Sequence, residues 1–348
     1  MQVKFEINDN LLITAIQRAY GISICQLDFL PKGDSAYCYI IKCSDNSSYF
    51  LKLYDNNTDG GKSRIKDLDR YLPLTREMYD TQLFKYLSYP FKNKSGHFST
   101  DLGFAAIILF NYIEGRSLED DYPFPLDLEK QIACTLAKMH KTTSSLDLKA
   151  SRFENFELPY VERLKEYLSY LGTIDKVSNF DIKTLRDSIL PRKKMILGFL
   201  DNLLEYQKYA KQLLHDGKLK MVISHGDVWG GNLIIDEYGN LHLVDWESTI
   251  IAPRERDIRN FTGDSFHCFL KEYEKQLGHK AILHTEIFGY YLYNFHLANL
   301  TNWIRRILYE NKSSLQSQSD LDCIMNHCIS RLPSLKSTLQ KVNFILKE

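Results

Sequence analysis

The stretch that most constrains the fold is residues 224–247, SHGDVWGGNLIIDEYGNLHLVDWE. Two apolar runs flank the turn residues Tyr238-Gly239-Asn240, a pattern that predicts a short β-hairpin. Ahead of it MVISHGD (221–227) reads as a strand running into a loop, and Gly230-Gly231 permits a tight return of the chain. A fold that accepts this segment must carry a strand, a short polar loop and a hairpin in immediate succession. The residues have the form H-x-D-x-x-x-x-N (His225, Asp227, Asn232), followed by an apolar strand that ends in Asp245.

Around that segment the hydrophobic period changes along the chain. Residues 9–20 place Leu11, Leu12, Ala15, Ile16 and Ala19 on one helical face, and Gly21 is positioned to end the helix. ICQLDFL (24–30), AYCYIIKC (36–43) and SYFLKLY (48–54) are β-rich and separated by turn-forming residues, so they predict an antiparallel meander. A polar stretch over 55–70 precedes a helical pattern over 75–87, and GFAAIILFNYI (103–113) reads as a buried strand. From Leu126 onward the period is mostly helical, clearest in LDLEKQIACTLAKMH (126–140). Residues 265–347 are helical again, with the polar run 310–320 as a helix connection. A β-rich first third followed by a helix-rich remainder is an α+β arrangement. At 348 residues the chain exceeds what one core usually supports, so two domains or two lobes around a cleft are expected.

Composition excludes several classes of partner. Lysine plus arginine (44) equals aspartate plus glutamate (44), so no net field favours nucleic acid or an anionic membrane. MQVKFEINDN lacks the basic and apolar regions of a secretory signal, and the longest wholly apolar run, Phe104 to Phe110, is too short to span a bilayer. A cytoplasmic protein is expected. The seven cysteines include no C-x-x-C pair and are expected to be reduced core thiols. Cys323, His327 and Cys328 lie close together, but no second ligand pair with zinc spacing accompanies them.

The residues of 224–247 point to phosphoryl transfer. Moving a phosphoryl group from ATP needs an anionic group to orient the attacking hydroxyl, and oxygen ligands for the Mg2+ that bridges the departing phosphates. Asp227 fits the first need, and Asn232 and Asp245 fit the second. Four intervening residues let the loop turn the Asn232 amide back toward the metal. His225 is expected to brace the loop rather than react.

This segment resembles the catalytic core of the aminoglycoside phosphotransferase and choline kinase superfamily, which shares the protein-kinase-like fold, and the likeness covers most of the chain. The resemblance implies a small antiparallel β-sheet N-lobe with one key helix (1–110) for nucleotide. A larger, mostly helical C-lobe (111–348) would serve catalysis and substrate, with a hinge near 110–115. It further implies that Lys52, in YFLKLY, grips the α- and β-phosphates, that Glu77 in the following helix pairs with it, and that backbone groups near Asn111, Tyr112 and Ile113 bind the adenine edge. Asp257, within IIAPRERDI (250–258), would anchor the catalytic loop as structural support. No G-x-G-x-x-G is present; only Gly33 lies between the first two strands, so Asp34 and Ser35 would have to cap the phosphates. Gly60-Gly61-Lys62-Ser63 imitates the end of a P-loop, but Asn56 stands where its first glycine belongs, and a mobile loop is expected there.

Protein substrates are not expected. Gly226 and Trp229 replace the arginine and lysine that a protein kinase usually carries, and only seven residues separate Asp245 from Pro253, too few for an activation loop. Within the superfamily the combination of VDWE and APRERDI most resembles the spectinomycin phosphotransferases. That resemblance implies a hydroxylated, cationic acceptor, with Glu247, Glu255, Asp264 and the run Glu119-Asp120-Asp121 as candidate carboxylates and Trp229 as a stacking ring. A metabolic kinase of choline, ethanolamine, methylthioribose, homoserine or a ketosamine would use the same catalytic residues, and a catalytically silent nucleotide-binding scaffold is a third reading.

Overall fold

A computed structural model describes residues 4–32, 36–174, 179–311 and 313–348. The expected meander is formed by β1 (Ile24–Leu30), β2 (Tyr37–Cys43) and β3 (Ser48–Asp55). With β4 (Ser99–Asp101) and β5 (Ala105–Asn111) they make a five-stranded antiparallel sheet in the order β1-β2-β3-β5-β4. The two-residue period of the strands sends Tyr39, Ile41, Leu51, Leu53, Ile107 and Leu109 to one face, where they meet Leu12 and Ile16 of α1 (Asp9–Tyr20). Gly21, at φ 76°, ends α1 and donates its N–H to the Gln17 carbonyl. Leu11 is 67% exposed, although its period suggested the packed face. The buried stripe runs through Leu12 and Ile16, four residues apart, and Leu11 lies about 100° to one side. Lys52 and Tyr54 alternate to the other face of the sheet, with Cys38 and Ile108 as the strand neighbours of Lys52.

The helix after β3 differs from expectation at both ends. α2 spans Asp59–Asp80, so Gly60 to Ser63 form its first turn rather than a mobile loop, and it stops short of residue 87. Its start is fixed by a cap, the Thr58 hydroxyl accepting from the Gly61 N–H at 3.0 Å. Lys62, Lys66, Asp69 and Arg70 are exposed, and their density hides a packed stripe of Leu68, Tyr71, Leu72, Thr75 and Met78. The end of α2 is tied down by stacking of Tyr79 on Tyr89, with Arg76 beside the Tyr89 ring.

After β6 (Arg116–Ser117) the chain enters α3 (Leu126–Lys141), one residue longer than the amphipathic pattern. The expected hairpin is β8 (Leu233–Ile235) with β9 (Leu241–Leu243), joined by β6 into a three-stranded sheet, while β7 (Met221–Ser224) pairs with β10 (Ile250–Pro253). The remaining helices are α4 (Val161–Thr173), α5 (Phe180–Ile189), α6 (Lys193–His215), α7 (Glu255–Ile258), α8 (Phe266–Leu277), α9 (Thr285–Tyr309), α10 (Ser314–Cys323) and α11 (Leu335–Lys347). The polar run 310–320 is therefore a connection only as far as Ser313, whose side chain caps α10 by accepting from the Gln316 N–H.

By packing, the chain divides into two compact units, one of residues 1–153, 222–252 and 268–280, the other of 154–221, 253–267 and 281–348. The first unit holds the five-stranded and three-stranded sheets and the whole of segment 224–247. In the second, α6 packs along α9, and the Tyr206 ring lies so close over Gly289 that a Cβ there would sit 2.6 Å from it. All seven cysteines are free thiols, and among the described residues no helix is long and apolar enough to cross a membrane.

Candidate active site

The loop after β7 is held by its own side chains. His225 is fully buried; its Nδ1 lies 3.3 Å from the Asp227 N–H and its Nε2 2.9 Å from the Val244 carbonyl oxygen. One nitrogen meets a donor and the other an acceptor, so the ring ties the loop to the strand that leads into Asp245. Gly226, at φ 82°, makes the turn toward Asp227. The Asn232 Nδ2 donates to the Asp227 backbone oxygen and to its Oδ2, both at 2.9 Å. Both amide protons are thereby committed inside the loop. Gly230 lets the loop approach β6: a Cβ there would lie 2.3 Å from the Leu118 carbonyl oxygen. Gly231 lies under the Trp229 indole, 2.4 Å from where a Cβ would be.

The hairpin returns Asp245 to this loop. Leu233 pairs with Leu243, and one step further the Val244 N–H donates to the Asn232 carbonyl at 3.0 Å, so Asn232 and Asp245 stand at neighbouring ladder positions. Asp245 has φ 64° and ψ 71°, a left-handed conformation that a non-glycine residue adopts at a cost of roughly 1–3 kcal/mol. This bend releases the aspartate from strand geometry, and Trp246 behind it is buried against the His225 ring at 4.8 Å. Asn232 and Asp245 supply hard oxygen donors of the type Mg2+ takes, and the Asp245 side chain is 38% exposed.

Lys52 comes from β3 to meet Asp245, its Nζ donating to Oδ1 at 2.7 Å. It also donates to Glu247 Oε1 at 2.5 Å. The expected pair between Lys52 and Glu77 is absent: the Glu77 carboxylate instead accepts from the Asp147 N–H at 3.1 Å. The cause is the true start of α2. With the helix beginning at Asp59, Arg64 approaches Glu247 Oε2 at 3.6 Å, and Glu77 lies 13 residues further on, about 20 Å along the axis. Burial of Lys52 disfavours its charge, but Asp245 and Glu247 outweigh it and hold its pKa well above the usual lysine value. Glu247 is likewise opposed by burial, yet Lys52 and Arg64 bring it down to about 2.

A sequence model of the phosphotransferase enzyme family matches residues 93–266, which is 174 of the 348 residues and includes Asp227, Asn232 and Asp245. This chain belongs to that family. No curated protein sequence matches the phosphotransferase significantly. Among solved structures, a spectinomycin phosphotransferase in complex with ADP and spectinomycin matches it with a TM-score of 0.70 at 17% identity, over 91% of this chain and 94% of that one. An amicoumacin kinase in complex with AMP-PNP and Ca2+ matches with 0.58 at 14% identity, over 90% and 91%. Choline kinase LicA from Streptococcus pneumoniae matches with 0.51 at 18% identity, over 91% and 98%. At such identities the likeness concerns the fold, which is α+β and protein-kinase-like. The enzyme is a small-molecule phosphotransferase.

Several other candidate residues of the phosphotransferase are already engaged within the fold. Glu247 is bound by Lys52 and the Tyr54 hydroxyl and is not available to a cationic substrate. Glu255 is buried, its Oε1 accepting from the His284 N–H at 2.7 Å, so it too faces no substrate. Asp264 is exposed and pairs with Lys341 at 2.8 Å. In the acidic run, Glu119 pairs with Lys32 and Asp121 with Arg116. Trp229 remains 44% exposed beside Asp227. The Asn111 N–H donates to the Tyr89 carbonyl and its side-chain oxygen accepts from the Tyr89 N–H, so Asn111 fixes the strand end. Asp257 is fully buried in α7. Ser35 lies outside the described residues. Sequence reasoning missed Tyr54 and Arg64 as members of the lysine cluster. The first was legible, since a residue two positions from Lys52 on a strand shares its face.

Proposed function

We propose that this phosphotransferase uses ATP and Mg2+ to phosphorylate a hydroxyl of a small cationic molecule, an aminoglycoside or aminocyclitol of the spectinomycin type. The observation that carries the chemistry is the bonding of Asn232 to Asp227 within one loop, with Asp245 tied alongside and Lys52 bound to Asp245. In this reading the acceptor oxygen attacks the γ-phosphorus, the bond to the β-phosphate oxygen breaks and ADP leaves. Asp227 orients the hydroxyl and takes its proton, which passes to solvent. The Asn232 oxygen and Asp245 would hold Mg2+, which supplies charge neutralisation between the phosphates. Lys52 binds the α- and β-phosphates, and the backbone at Tyr112 and Ile113 takes the adenine edge at a hinge near 110–115 between nucleotide and acceptor lobes. Asp257 is assigned a supporting role.

The choice of acceptor draws on two supports. The matched spectinomycin phosphotransferase and this chain share the fold over nearly their full lengths. The half-exposed Trp229 indole, packed close to Gly231 and two residues from Asp227 in sequence, offers an aromatic ring to a cation. A cytoplasmic antibiotic-modifying role follows from that acceptor. A metabolic kinase is the second reading, favoured by the match to choline kinase LicA.

ADP release should be measured over spectinomycin, aminoglycosides, choline and small sugars. Stimulation by an aminocyclitol or aminoglycoside is expected, and stimulation by choline alone would move the assignment to the metabolic reading. Stimulation by none of them, with ATP still raising the melting temperature, would favour a silent scaffold. Asp227→Asn should cut turnover about a hundredfold or more while sparing nucleotide binding; near-normal turnover would sink the assignment of Asp227.

A further inference from the structure

We infer that Glu247, not a glutamate of α2, is the residue that positions the phosphate-gripping Lys52. The inference rests on the kinase reading above. Lys52 Nζ sits between two carboxylates, Asp245 Oδ1 at 2.7 Å and Glu247 Oε1 at 2.5 Å. The two differ in freedom. The Asp245 side chain is 38% exposed and can turn to an incoming cation, whereas that of Glu247 is 8% exposed and is held by hydrogen bonds from Lys52 and the Tyr54 hydroxyl and, on its other oxygen, by the charge of Arg64 at 3.6 Å. Lys52, Arg64, Asp245 and Glu247 together carry no net charge. When Asp245 is drawn to a divalent cation, the remaining three leave one positive charge at Lys52, aimed where nucleotide phosphates would lie.

The chain path makes this arrangement local. The left-handed bend at Asp245 and the single 3-10 turn Trp246–Ser248 bring two carboxylates, spaced D-x-E, onto one ammonium. The lysine is therefore set by the same segment that bears the metal-facing aspartate, and α2 enters the cluster only through the ion pair of Arg64 with Glu247. Glu77, engaged with the Asp147 N–H, contributes nothing to the grip.

Calorimetric titration of Mg2+ with a non-hydrolysable ATP analogue tests this in the full chain. Glu247→Gln is expected to weaken binding about tenfold or more, as for loss of a charge-assisted hydrogen bond, and Glu77→Gln to change it less than twofold. A merely structural role for Glu247 is separated by the Lys52→Met background: there Glu247→Gln should cost less than a further twofold. An equal loss in both backgrounds, or a silent Glu247→Gln beside a damaging Glu77→Gln, would overturn the inference. If Glu247→Gln does not fold, Glu247→Asp, which keeps the charge on a shorter stem, should show an intermediate loss that also vanishes with Lys52→Met. Failure of the wild type to bind the magnesium nucleotide would remove the kinase reading and the inference with it.

Discussion

Glu255 shows how one buried carboxyl can set a pH dependence. Burial pushes its pKa up to about 7, while the His284 N–H and nearby Arg254 only partly oppose this. The folded protein thus holds a proton that the unfolded chain releases near 4.5. The stabilisation is complete below about 4.5 and is lost as pH rises toward 7, to a total of about 3 kcal/mol, with no further change above. Glu255→Gln retains an oxygen for the His284 N–H without a charge. Its urea midpoint is expected to exceed that of the wild type at pH 8 and to match it near pH 4.5; equal midpoints at pH 8 would contradict the shift.

At the scale of elements, caps and close approaches decide where chain segments start and how near they come. α2 begins at Asp59 because Thr58 supplies the acceptor, so Thr58→Ala should cost about 1 kcal/mol in denaturant unfolding. An unchanged midpoint would place the start of the helix later, nearer the pattern at residue 75. Gly230 is set by contact rather than by backbone angle. Gly230→Ala must push the catalytic loop away from the Leu118 carbonyl. A displacement of about 1 Å at a reacting group can cost on the order of a hundredfold, so turnover should fall by that order with the far-ultraviolet circular dichroism unchanged. Full turnover would show that the loop accommodates the methyl group.

For the whole molecule, ligand linkage gives the most direct readout. Magnesium nucleotide at about 100 times its Kd should stabilise the protein by about 2.7 kcal/mol, raising the thermal midpoint, and a chelator should reverse most of that rise. No shift would remove the nucleotide from the proposed function.

Much was legible in the sequence because the interactions that decide it are short in range. Strand alternation, the Gly21 cap and the Tyr238-Gly239-Asn240 turn each act within a few residues, and so β1 to β3, α1 and the β8–β9 hairpin fall where the period puts them. The grouping of Asp227, Asn232 and Asp245 was legible for the same reason, since one loop and one hairpin connect them. What the sequence could not set was which carboxylate reaches Lys52. Glu77 and Glu247 both fit the order along the chain, and the choice depends on where α2 begins, how far it runs and how Asp245 bends, the last of these about 190 positions from Lys52. Glu255 was likewise read as a candidate carboxylate for a cationic acceptor and is instead buried, accepting from the His284 N–H, 29 positions away. Local chemistry is written in spacing; partners of buried charges are chosen by packing, which excludes water and leaves each charge only the groups that the fold brings within reach.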